Sequence, residues 1–388
     1  MQLDELVKEA NRQLTICNAC RYCEGYCPVF PALEMRQELG KGDVVFLAHL
    51  CHECRACYYA CMYSPPHDFQ INLPQALSLV RIETYRAWSW PSWLGRSFVH
   101  QHIGNILAVA TTVLVMLLAL LLRGPSRVFG VHLGPGAFYS VIPFFAMVIP
   151  AIALVFYAAM VWLNGGAQFW REARPAFGGE RGMQALRATI NDVLSLRWLK
   201  GGGPGCYYPG AKPSSLRRVY HSFVFYGFLF ALISTVLAGI YQDIFHRLPP
   251  YSLASFPVIF GFIGGVAMII GVTGLIVVKS KSDPAPATSN APKLDYSFLA
   301  ILGLASLSGL LILILRATAA MGICLTIHLG LVAALFITAP YGKFVHSMYR
   351  SLALFLYRTR HQIMAQKAEE KRQPVATGEV APSAKSKI

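Results

Sequence analysis

The stretch CNACRYCEGYCP at residues 17–28 and the stretch CHECRACYYAC at residues 51–61 both read C-x2-C-x2-C-x3-C. That spacing is how bacterial two-cluster iron–sulfur domains carry their thiolates. Three cysteines two residues apart on a turning backbone can cap three irons of one cubane. The fourth is held too far off and ligates the other cluster. The predicted wiring is therefore crossed. Cys17, Cys20, Cys23 and Cys61 would hold one [4Fe–4S] cluster, and Cys51, Cys54, Cys57 and Cys27 the other. A structural zinc takes four ligands, usually as two short pairs, and does not need four cysteines in eleven residues. Disulfides belong to oxidising compartments. The second run departs from the pattern only in lacking an immediate proline: Met62 follows Cys61, and Pro65 and Pro66 come later.

Around these runs the sequence reads as helix. Residues 1–16 place Leu3, Leu6, Val7, Ala10 and Leu14 on one face of an amphipathic helix. Between the runs, Leu33, Leu39, Val44, Phe46 and Leu47 suggest helix broken near Gly40 and Gly42, with no alternating strand pattern. The expectation is an all-α, ferredoxin-like two-cluster domain over residues 1–87. Tyr22, Tyr26, Phe30, Tyr58, Tyr59 and Tyr63 would shield the clusters from water.

Composition decides the rest. Of 388 residues, 55% are hydrophobic and only 14% charged. Six uncharged stretches are long enough to cross a bilayer: about 103–122, 138–163, 222–242, 254–278, 296–315 and 320–341. They predict a transmembrane domain over 88–366, with a loop at 164–218 and a polar, disordered tail at 367–388. WSWPSW at residues 88–93 reads as an interfacial aromatic belt. The loop at 164–218, glycine-rich at 201–205, lacks the residues of a phosphate loop and reads as a docking segment, with Cys206 a free loop thiol. Residues 282–294 read as a Pro/Ala/Ser linker.

Nothing resembling a secretory h-region precedes the first span. With the N-terminus inside, the outer loops hold only Arg123, Arg127, Arg247 and Arg316. The 164–218 loop alone carries Arg171, Arg174, Arg181, Arg187, Arg197, Lys200, Lys212, Arg217 and Arg218. This positive-inside bias predicts a multi-pass protein of the bacterial inner membrane, with both termini and the clusters cytoplasmic. The net charge of +15 then reflects topology and contact with the lipid bilayer. It does not mark a nucleic-acid partner, because the cations are spread over membrane-flanking loops.

Histidines beside spans are functional candidates. His221 opens the third span and His346 follows the sixth, at similar depth, as two ligands of a b-type haem would. The alternative is a pair of interfacial histidines bonded to backbone or water. His328 sits toward the outer leaflet, with no second histidine at its depth. His100 and His102, at the start of the first span, are alternates. His49, His52 and His67 suit hydrogen bonding near the clusters better than ligation.

The paired cysteine runs, PPHDFQINLP at residues 65–74, GGGPGCYYPG at 201–210 and the six spans together resemble tricarballylate utilization protein B, a membrane-bound 4Fe–4S protein. HSFVFYGF at 221–228 and HLGLVAALFITAPYGKFVH at 328–346 resemble the cytochrome b subunit of respiratory nitrate reductases, which uses two histidine pairs for two haems. Here His221, His328 and His346 match, and the fourth position is Ala231. What the resemblance implies is a relay. A soluble FAD-dependent dehydrogenase of the tricarballylate type would pass electrons through the clusters to membrane quinone. The chain has no flavin or Rossmann motif of its own, so a donor is required and no catalytic residue is expected. Two other classes compete. A heterodisulfide-reductase-like subunit would want more cysteines than Cys206 and Cys324. A zinc-binding membrane regulator or transporter would want charges inside the spans.

Overall fold

The computed structural model describes residues 3–36, 38–98, 101–177, 182–201, 205–288 and 291–370. His100, the glycine-loop residues 202–204 and the tail from 371 onward lie outside the described residues. The described chain is helical, with no strand and one isolated antiparallel bridge between Cys206 and Ser214.

The cluster domain comprises α1 (Leu3–Cys20), α2 (Val29–Glu34), α3 (Lys41–Leu50), α4 (Ala56–Tyr59) and α5 (Leu73–Ala87). Leu6, Val7, Ala10 and Leu14 of α1 are buried, as their spacing requires. The break between α2 and α3 falls at residues 35–40. Gly40 caps α3, where the Asp43 carboxylate accepts from its backbone N–H, and Gly42 lies inside that helix. Asn72 caps α5 by accepting from the Gln75 amide, with Pro74 in the first turn.

A short α6 (Ser92–Ser97) leads into the membrane helices α7 (Gln101–Arg123), α10 (Phe144–Phe177), α12 (Leu216–Asp243), α13 (Phe256–Ser280), α14 (Ala291–Leu315) and α15 (Met321–Thr338). Between them lie two short helices, α8 (Pro125–Val128) and α9 (Ala137–Val141), and the longer α11 (Met183–Leu194). The last helix, α16, spans His346–Glu370. Six helices are long and apolar enough to cross a membrane. More than half of the α15 window is buried, 56%, against 6% for α12, so α15 lies at the bundle's centre and α12 at its lipid face.

Several boundaries differ from expectation. The second span starts at Phe144, because Phe138 belongs to α9 and Pro143 separates the two. It also runs on through Gly165 and Gly166 to Phe177, so residues 164–177 are helix and not loop. Those glycines leave room for α16: a Cβ at Gly165 would run into the Tyr349 hydroxyl. The final helix likewise continues past 367 to Glu370. Of the predicted aromatic belt, Trp90 and Trp93 are exposed. Trp88 turns inward against His49, Phe169 and Tyr349.

One hydrophobic core joins the cluster domain to the bundle. Phe46, Leu47, Leu50 and Leu77 of α3 and α5 pack with Phe169 and Ala173 of α10 and with Tyr349, Ala353 and Leu354 of α16. First and last elements thus meet at one end, which an even number of crossings requires. Residues 283–287 are a strap and not a free linker. Their carbonyls accept from Arg55 (3.0 Å to Asp283), Asn72 (2.8 Å to Ala285) and Gln75 (3.1 Å to Ala287).

Within lipid, helices associate by close backbone approach more than by hydrophobicity. Gly227 of α12 faces Gly264 of α13, and a Cβ at Gly264 would lie 2.7 Å from the Gly227 carbonyl oxygen. Gly264→Val is therefore expected to force α12 from α13. It should lower the thermal midpoint in detergent by several degrees, as about 1–3 kcal/mol of overpacking implies. Gly239→Val, which meets open space, is the control; equal losses in both would refute the contact.

Candidate metal centres

Both cysteine runs coil because single residues adopt the left-handed backbone region: Arg21 (φ 56°) in the first, Glu53 (φ 54°) and Arg55 (φ 65°) in the second. This conformation is uncommon outside glycine and clusters at functional sites. Cys17, Cys20, Cys23 and Cys61 become electrostatic neighbours. So do Cys27, Cys51, Cys54 and Cys57. Cys23 also neighbours Cys57, so the two quartets adjoin. The structure thus brings together the same two groups that crossed wiring requires.

The first quartet lines a cavity walled by Ile16, Phe30, Ile71 and Leu73. Cys20 is exposed at its mouth, beside Tyr22 and Met62, each 60% exposed. Burial, then the neighbouring thiols, pushes Cys17 and Cys23 up to about 12. Burial raises Cys27 and Cys57 well above the ordinary thiol range too. Thiols this hard to ionise become thiolates when a cationic centre binds them. Among the described residues no three such side chains close on a single-ion site. Two quartets of free thiols are the donor set that a pair of multi-iron clusters takes.

The second quartet sits against the membrane helices, and three arginines donate to its loop. Arg81 of α5 donates to the carbonyls of Ala48 (2.9 Å) and Cys51 (3.0 Å), and Arg350 of α16 donates to Cys51 (2.9 Å). Arg217 of α12 donates to His52 (3.0 Å) and Glu53 (2.9 Å). Glu53 pairs with Arg81 at 3.0 Å. Burial raises its carboxyl, but the positive charge of Arg81, Lys343, Arg217 and Lys279 outweighs that and holds it at about 2.

The segment after the glycine stretch also packs here. The Tyr207 amide donates to the Cys54 carbonyl (2.8 Å), and Tyr208 lies under Arg55 and Arg217. Cys206 is fully buried beside Cys54, its thiol donating to the Leu199 carbonyl. It is a free thiol, as expected, and a buried one.

Directly behind these arginines, His221 and His346 meet with ring centres 6.3 Å apart and planes at 82°. Two imidazoles on one iron, at about 2 Å per metal–nitrogen bond plus the ring's own radius, would stand roughly 6 Å apart. His346 donates Nδ1–H to the Lys343 carbonyl, leaving Nε2 free, and His221 Nδ1 is buried without a partner. Burial and the charges of Arg350 and Lys343 push His346 well below its ordinary value, so it stays neutral, as ligation requires. These residues fit a bis-histidine haem.

The other histidines stand apart. His328 lies against α14, its Nδ1 3.0 Å from the Ala305 carbonyl and 3.2 Å from the Ser308 hydroxyl. His102 is exposed at the start of α7. His49 is caged by Tyr85, Trp88, Phe169 and Tyr349 and bonded to Thr84. His52 bonds the Leu50 carbonyl, and His67 accepts from the Phe69 amide.

Arg81, Arg217 and Arg350 carry no motif, yet two of them were legible. Arg217 stands four residues before His221 and Arg350 four after His346, so each shares its histidine's helix face.

Cysteine quartets held by helices that pack on six membrane-length spans fit a membrane iron–sulfur electron-transfer protein. A family model described as Citrate utilization protein B Fer4-like domain matches residues 10–87, and one described as Citrate utilization protein B matches residues 100–369. The curated Citrate utilization protein B of Escherichia coli is 39% identical over 357 residues, 91% of this chain and 92% of its own length. No solved structure matches this chain. The chain belongs to the citrate utilization protein B family, of which tricarballylate utilization protein B is the same type.

Removing Arg81 while keeping Glu53 would leave a buried carboxylate short of its closest cation. Arg81→Met should cost about 3–5 kcal/mol, and Arg81→Met with Glu53→Gln distinctly less. Thermal unfolding of the purified protein reads the difference. A double variant as unstable as the single one would show that the pair is not the source of the loss.

Proposed function

We propose that this chain reoxidises the reduced flavin of a soluble FAD-dependent dehydrogenase and delivers the electrons to the membrane quinone pool. The observation that carries this reading is the placement of two cysteine quartets in series. One opens at the domain surface, the other lies against the membrane helices, and Cys23 and Cys57 adjoin between them. Cys17, Cys20, Cys23 and Cys61 would hold one [4Fe–4S] cluster, and Cys51, Cys54, Cys57 and Cys27 the second. His221 and His346 would hold a b-type haem. When bound, these groups supply one-electron carriers between a two-electron flavin and a quinone.

The chain's own residues set direction and exclude water. Exposed Tyr22 and Met62 beside Cys20 offer the donor flavoprotein an apolar face. Arg81, Arg217 and Arg350 surround the second quartet's loop with positive charge, which raises a reduction potential there relative to the first quartet. Tyr207, Tyr208 and the 283–287 strap cover that loop from water. The charge bias of the loops supports a cytoplasmic cluster domain on a bacterial inner membrane. The names of the family's members point to tricarboxylates, and tricarballylate is the donor's substrate that the resemblance favours. A thiol-chemistry subunit is disfavoured, because Cys206 packs beside Cys54 while Cys324 packs with Val141 and Met321 in a separate cluster.

Anaerobic purification from membranes, with iron and sulfide analysis and optical and EPR spectra, tests the reading. Zinc without acid-labile sulfide would sink it. Cys61→Ser should remove the cluster held by Cys17, Cys20 and Cys23, and Cys27→Ser the other; loss within the local run instead would refute the crossed wiring. His221→Ala and His346→Ala should each abolish the Soret band, while His328→Ala keeps it. Arg350→Met should lower one cluster's midpoint potential by on the order of tens of millivolts and leave the other alone. A potentiometric EPR titration in which neither moves would remove the arginines' role.

A further inference from the structure

Helix α11 presents three faces. Ala185, Thr189 and Asp192 are buried, and Asp192 receives a two-pronged salt bridge from Arg358 of α16, 2.7 Å to each oxygen. Gln184, Arg187 and Asn191 form an exposed polar face. Between these, Met183, Leu186, Ile190 and Leu194 recur at three- and four-residue spacing and are 65%, 42%, 49% and 46% exposed.

Where the helix ends decides what covers this stripe. The Leu194 carbonyl accepts from the Tyr226 hydroxyl at 2.5 Å, and the Ser195 carbonyl accepts from Arg218 at 3.2 Å. Tyr226 belongs to the outward row Leu216, Val219, Phe223, Tyr226 and Ile233 of α12, the span least buried in the bundle. A tyrosine in a helix leans toward the N-terminus, so its hydroxyl meets α11 near the end of the span that carries Arg217 and Arg218. The α11 stripe therefore continues the lipid-facing surface of α12 at the membrane boundary. Arg187, Arg197 and Lys200, all exposed, flank it with positive charge.

We propose that α11 is an interfacial helix, with Met183, Leu186, Ile190 and Leu194 seated among acyl chains and Arg187, Arg197 and Lys200 on anionic headgroups. The occupant is lipid, because the stripe is continuous with a lipid-facing row and the flanking charge complements an anionic leaflet.

The test uses the full chain in vesicles of phosphatidylethanolamine and phosphatidylglycerol, with a fluorescent non-natural amino acid at position 190 or 184. Brominated acyl chains should quench the label at 190 several-fold more than the label at 184. Equal quenching would overturn the proposal. So would a label at 190 that stays open to aqueous iodide until a soluble protein is added, which would mark a protein-docking face instead. Replacing phosphatidylglycerol by phosphatidylcholine should weaken quenching at 190; indifference to lipid charge would remove the headgroup contacts. Ile190→Glu should leave the detergent thermal midpoint unchanged and lower quenching of a label at 186. A fall in that midpoint would show that the stripe packs inside the protein, against the proposal.

Discussion

Three guanidinium groups gathered on one short loop hold this architecture together. Arg81, Arg217 and Arg350 come from α5, α12 and α16, and all three donate to backbone carbonyls between Ala48 and Glu53. Buried positive charge at such density needs acceptors, and a left-handed turn at Glu53 and Arg55 exposes them. Glu53 supplies one formal negative charge and the carbonyl dipoles the rest. Together they tie the cluster domain, the peripheral span and the last helix to one point. Continuous burial through Phe46, Phe169 and Tyr349 then seals the joint.

A soluble ferredoxin-like unit would have its own closed core. Here the core is shared, because α3 and α5 bury their faces against α10 and α16. The domain is thus fixed on the membrane and does not hang from a tether. The long extension of α10 beyond the apolar region, through Trp170 and Ala173, exists to build that platform. A second buried charge group, Asp295 with Lys279 at 2.5 Å and Lys343 at 3.1 Å, joins the ends of α13 and α14 to the start of the His346 segment.

Much of this was legible in the sequence. The cysteine spacing named both quartets, hydropathy named six spans, and the depth of His221 and His346 named a pair that the structure brings within ring contact. Illegible were the features that depend on distant chain segments. Residues 164–177 looked like loop because Gly165, Gly166 and charged side chains end the apolar run, yet the backbone continues as helix under Tyr349. Trp88 looked interfacial because nothing local shows the aromatic cage around His49. The segment 206–210 and the 283–287 strap looked like free loops because their partners, Cys54, Arg55 and Asn72, lie hundreds of residues away or in another motif. Hydropathy sees a segment's solvent, and not which segment covers it.

The strap and α16 also bear on the order in which the molecule is made. The cysteine runs leave the ribosome first, while residues 283–287 and 350–357, which cover the second run, emerge near the end. The N-terminal helices therefore cannot finish burying Phe46 and Leu50 until the last span is through the membrane. Until then the second run lacks the Asp283 and Arg350 contacts that cover it in the finished fold. The strap and the last helix can close over the second run only once the chain is complete.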